Sequence, residues 1–109
     1  MAFDEKTADR VREILFEHGD VVELKMFGGI AFMVKGHMAC GVIGDDLVAR
    51  LGPDRAADAL EKEHVRPMDF TGRPMKGYVF VGPPGIRTEP KLRTWVTATL
   101  EFVDTLPAR

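Results

Sequence analysis

The sequence predicts an α+β fold: an antiparallel β-meander of about five strands, with an N-terminal, a middle and a C-terminal helix packed on the sheet. Three observations predict it. Alternating or continuous apolar runs follow one another through residues 21–51, and helix-period stretches stand before and after them. The connections at 27–29, 35–36 and 44–46 are short, whereas parallel neighbours need crossovers of about a dozen residues. The element order read from the chain is α-β-β-β-β-α-β-α.

The first helix opens at Phe3-Asp4, with Asp4 at the N-cap position and Glu5 favouring the positive end of the helix dipole. Ala8, Val11, Ile14, Leu15 and His18 form its apolar stripe, and Gly19 supplies the stop. Val21 to Met26 alternates, with Val22, Leu24 and Met26 opposite Glu23 and Lys25, which is the pattern of a half-buried strand near a sheet edge. The next two strands, through Ile30–Val34 and His37–Ile43, are apolar on both faces. They read as central strands covered on both sides, by helices or by a second subunit. Leu47 to Leu51 is the fourth strand.

Gly52-Pro53-Asp54 breaks that strand and starts the middle helix, whose inner face is Ala56, Ala57 and Leu60. Residues 65–76 contain Pro67, Gly72 and Pro74 and read as a loop. Tyr78 to Val81 is the fifth strand. Pro90 begins a last helix with Leu92, Trp95, Val96, Thr99, Val103 and Leu106 on one face, and Pro107 ends it.

At 109 residues, the chain is expected to form one domain over residues 1–109. An apolar share of 45% with 29% charged residues is globular composition. No apolar run reaches the length of about 18 residues that a membrane-spanning helix needs. Cys40 is the only cysteine, so no internal disulfide is possible, and the N-terminus lacks a secretion signal. These features point to the cytoplasm.

The formal charge of −2 is segregated. Residues 1–63 carry eight basic and thirteen acidic side chains, while residues 64–93 carry six basic and two acidic. The six are Arg66, Arg73, Lys76, Arg87, Lys91 and Arg93, which makes them the candidate partner- or anion-binding residues. Three of these cations lie with Phe70 and Thr71 on the expected loop, where binding residues concentrate. The competing reading pairs them with the acidic N-terminal half.

Other motifs carry less chemistry. Phe27-Gly28-Gly29 leads into a strand rather than a helix and lacks a following Gly-Lys-Ser/Thr, so it reads as a structural turn and not a phosphate loop. His37 and Cys40 point to opposite faces of a strand and cannot chelate together, and no metal site is expected. Cys40 has no adjacent base in the sequence and reads as a small buried hydrophobe. Asp45-Asp46 reads as a solvated turn. No catalytic residue and no cofactor is expected.

Three blocks in order carry a family resemblance: Met26-Phe27-Gly28-Gly29 with Lys35-Gly36, Met38-Ala39 and Gly44-Asp45-Asp46-Leu47; Phe70 through Gly77-Tyr78-Val79; and the last helix with Leu92 and Trp95-Val96. Together they resemble the N-terminal domain of the TfoX/Sxy competence-regulator family over roughly residues 5–105. The resemblance implies a compact α+β domain with no known active site. Full-length members of that family promote expression of DNA-uptake genes alongside the cyclic-AMP receptor protein and carry a C-terminal domain, which this chain is expected to lack. The resulting expectation is a non-enzymatic regulatory or interaction domain acting through protein contacts, with a protein partner or a homodimer. The alternatives are weak nucleic-acid or anion binding through residues 66–93, and a small ligand-binding domain or enzyme using Cys40, His37 or the loop arginines.

Overall fold

The computed structural model describes residues 3–26, 28–70 and 73–107. Helix α1 (Glu5–Phe16) is followed by four strands, β1 (Val21–Met26), β2 (Gly29–Val34), β3 (His37–Ile43) and β4 (Asp46–Arg50). Helix α2 (Pro53–Ala59), strands β5 (Val65–Phe70) and β6 (Arg73–Val81), a single 3-10 turn (Pro83–Ile86) and helix α3 (Glu89–Val103) complete it. All strand pairs are antiparallel, in the spatial order β1-β2-β3-β4-β6-β5. The α+β class and the three helices are as the sequence predicts.

The count of strands is larger by one. Residues 65–70, expected as loop, form β5, and β6 begins five residues before the expected strand. Proline is tolerated here because β5 is an outer strand, where a missing N–H need not break the ladder. The β5–β6 register also shifts between Pro67 and Asp69, which absorbs the irregularity.

All three helices cover one face of the sheet. Ala8, Val11, Ile14 and Leu15 of α1, Ala56 and Ala59 of α2, and Leu92 and Val96 of α3 pack with Phe32, Cys40, Leu47, Ala49, Val79 and Val81. His18 lies beyond the end of α1 and outside this core. The alternation of β-strand side chains places the intervening residues on the opposite face. Register rows on that face run Leu24, Ala31, Gly41, Val48, Phe80, Arg66. No described helix packs there, so the described helices supply one of the two covers expected for β2 and β3. The small Ala31 and Val48 are buried, while Met33, Met38, Ile43 and Phe80 are half-buried and Val22 and Leu24 exposed.

Two glycines of this face have distinct causes. Gly28 has φ of 74°, the left-handed conformation a tight turn requires. Gly29 does not, but a Cβ there would run into the Val42 carbonyl of β3. Phe27 lies outside the described residues.

Candidate functional site

The six candidate cations are not gathered on one surface. Arg66 donates from Nη2 to Asp46 Oδ2 at 2.8 Å, and its guanidinium lies 5.0 Å from the centre of the Phe80 ring. It therefore stands on the open face, with its pKa raised chiefly by the Asp46 hydrogen bond. Arg93 belongs to α3, across the sheet. It forks onto both Glu17 oxygens at 3.1 Å and reaches Glu89 at 3.4 Å. Its pKa is raised, and that of Glu17 lowered, first by that hydrogen bond. Arg87 and Lys91 are exposed beside the start of α3, and Lys76 is exposed on β6. Arg73 opens β6, and its side chain lies outside the described part of the molecule.

Other chemically able side chains have structural partners. Cys40 is fully buried, and burial pushes its thiol up to about 12. A thiolate nucleophile needs the reverse. His37 is buried, and its Nε2 donates to the Pro107 carbonyl at 2.5 Å, tying β3 to the chain beyond α3. Asp46 accepts from Arg66, and Asp45 stands in the turn before β4. Among the described residues, no group of three His, Cys, Asp or Glu side chains is close enough to hold a metal ion. Trp95, expected in the core, is only half-buried and donates its Nε1–H to the Gly85 carbonyl at 3.2 Å.

A cleft of about 280 Å³ lies between α2 and α3, lined by Leu51, Arg55, Ala59, Lys62, Trp95 and Ala98. The Lys62 ammonium sits 5.6 Å from the Trp95 ring centre, and Arg55 is bonded to Glu101 at 3.0 Å. Cys40, His37 and the candidate cations do not line it.

Sequence reasoning did not single out the surface around β1. Among the described residues four large apolar side chains are exposed, and three of them flank this outer strand: Phe16 at 87%, Val22 at 58% and Leu24 at 46%. Val22 and Leu24 lie on the open face. Phe16, at the end of α1, shares a groove with Val21 and Glu23 on the helical side. Glu23 itself accepts from Arg12 Nε at 2.7 Å, and Arg12 also holds Asp9 at 2.5 Å. The signal in the sequence was the Val-Glu-Leu-Lys alternation together with an apolar residue at the end of α1. The sequence places this strand near a sheet edge, as the structure bears out, and the exposed apolar residues gain meaning once β1 is seen to be outermost.

The fold is that of a small α+β domain, with an antiparallel sheet clothed on one side by the described helices. The TfoX N-terminal domain family model matches residues 13–103, and the chain belongs to that family, which is of competence-regulator type. No match is found among curated proteins. No described helix is long and apolar enough to cross a membrane.

Proposed function

We propose that this domain is a non-enzymatic regulatory module of the cytoplasm that works through protein contacts made by the open face of its sheet. The observation that carries the reading is that face itself. Val22 and Leu24 of β1, Met33 of β2, Met38 and Ile43 of β3 and Phe80 of β6 share this apolar face, joined through the buried Ala31, Gly41 and Val48, with Arg66 at one margin. Contiguous exposed apolar surface on a folded protein is a mark of interaction sites. The methionines suit such a role, because an unbranched thioether adapts to the partner's shape. The commitment of Cys40, His37, Asp46 and Arg93 to internal partners also favours contact over chemistry.

A charge placed on this face tests the reading. Met33→Glu is half-buried on the open side and away from the helical core, so the fold should persist, checked by circular dichroism. Proteins captured by the wild-type domain from its own cells are purified and tested again for direct binding. The expected result is a purified partner that binds the wild type and is lost by about tenfold or more with Met33→Glu, as for a buried contact at an interface centre. Equal binding by the variant would move the contact elsewhere.

A further inference from the structure

We propose that β1 is a dimerisation edge, pairing antiparallel with β1 of a second copy about a two-fold axis that passes through Leu24. The outer strands of a sheet present unpaired N–H and C=O groups, and soluble proteins normally blunt them. Strand β5 is blunted by Pro67, a register shift and the charged pair of Arg66 with Asp46. Strand β1 has neither the proline nor the register shift. Its pairing with β2 runs unbroken over six residues, from Val21↔Val34 to Met26↔Gly29, and it contains no proline.

What remains on β1 is a pair of charges, and they select the partner. Directly opposed residues of an antiparallel pair point to the same face. A two-fold pairing must therefore set even-numbered positions opposite even and odd opposite odd, or Val22 and Leu24 would be turned away from the partner's apolar face. With Leu24 opposite Leu24, Glu23 falls opposite Lys25 of the partner subunit, and Lys25 opposite Glu23 of the partner subunit. Both oppositely charged pairs form at once. Moving the axis one residue toward the N-terminus sets Glu23 against Glu23, and one residue toward the C-terminus sets Lys25 against Lys25. The charges on this strand thus suit a second copy of the same chain, in one register.

The local structure prepares that contact. Arg12 holds Glu23 through Oε2, so Oε1 can receive the lysine of the second copy. Residues 23 and 25 have the same parity, so their backbone groups face the same way and can join one ladder. Val22 and Leu24 then pass from solvent into a seam that continues the open face from one copy to the next, while Phe16 flanks the seam on the helical side. The dimer rests on the reading of the domain as an interaction module and gives that module its first partner.

Sedimentation equilibrium across a range of concentrations tests it. The wild type should be a monomer–dimer system. Lys25→Glu places four carboxylates at the seam and should weaken dimerisation by about tenfold, with Lys25→Ala between the two, from the worth of cross-strand charge pairs. Glu23→Lys should weaken it similarly. An equimolar mixture of Lys25→Glu and Glu23→Lys restores both opposite-charge pairs and should give heterodimers near the wild-type affinity, less so in high salt. If Glu23→Lys unfolds for want of the Arg12 contact, the graded Lys25 series still decides. A wild type monomeric up to about 1 mM, the weak end of specific association, would overturn the dimer. So would a dimer indifferent to Lys25 or a mixture that fails to recover. None of these outcomes touches the capture experiment on Met33, which judges the interaction reading separately.

Discussion

The two outer strands of this sheet meet the same physical problem with different residues. Strand β5 carries Pro67, a register shift, and Arg66 clamped to Asp46 and stacked on Phe80. Strand β1 carries an unbroken ladder, exposed Val22 and Leu24, and one glutamate and one lysine two residues apart. An unpaired edge is a hazard for aggregation unless it is obstructed or matched to a partner. The obstruction on one side and the self-complementary charge pattern on the other teach that edges differ by use as much as by position. The Gly28-Gly29 turn and the strands after it build β2 and β3, the inner neighbours on which the open edge rests.

The largest effect should come from breaking the strand that supports that edge. Gly29 is buried in β2, and any Cβ there meets the Val42 carbonyl backbone, which cannot swing aside. Gly29→Val should cost about 2–3 kcal/mol by overpacking, seen as a fall in the denaturant midpoint. The contrasting position lies on the other half of the sheet. A Cβ at Gly82, just past β6, finds its nearest neighbour at 3.6 Å, and φ there is −71°. Gly82→Ala should stay within about 0.5 kcal/mol of the wild type. Similar losses at both sites would mean that the close approach at Gly29 is relieved by local movement.

A smaller change should convert one edge into the other. Pro67→Val restores a backbone donor on β5 and removes its chief obstruction, with a stability change of less than about 1 kcal/mol. If proline is what protects this edge, the variant will form species larger than a dimer as concentration rises, because both edges then accept a strand. Light scattering reads this directly. A variant that stops at the dimer would assign the protection to the register shift and to Arg66.

The meander was legible because its signals are local. The turns at 35–36 and 44–46 and the alternation of Ile30, Phe32 and Val34 act over two or three residues, and the structure places β2, β3 and β4 on them. Strand β5 was illegible for the opposite reason. Pro67 argues against a central strand, and only the spatial order β4-β6-β5 reveals that residues 65–70 are outermost, where proline fits, while Pro74 stands in the part of β6 that β4 does not pair with. The cation cluster shows the same limit. Arg66 and Arg93 lie in one charge-rich stretch of sequence, yet the sheet separates them, and each finds a carboxylate from a distant segment, Asp46 and Glu17. Thr88 was also missed as the cap of α3, where its hydroxyl oxygen accepts from the Lys91 backbone N–H at 3.4 Å. Pro90 had drawn the start of the helix one residue too late.

The smallest effect concerns the ion pair that ties the end of α1 to α3. Glu17 follows Phe16 at the end of α1 and is held by Arg93 of α3, and that hydrogen bond keeps its carboxyl below the usual range. A carboxylate with a lowered folded value favours the native state fully above its unfolded value of about 4.3. That contribution fades as pH falls through the lowered folded value, since the proton then binds both states. Both side chains are largely exposed, so the effect should be slight and should shrink in salt. In thermal melts from pH 6 down to pH 2, Glu17→Gln should therefore lose less stability than the wild type below about pH 4. The two curves should converge toward the acid end. Parallel curves would show that Arg93 is satisfied by Glu89 alone, and that α1 is fixed beside β1 by its buried stripe of Val11, Ile14 and Leu15 without help from charge.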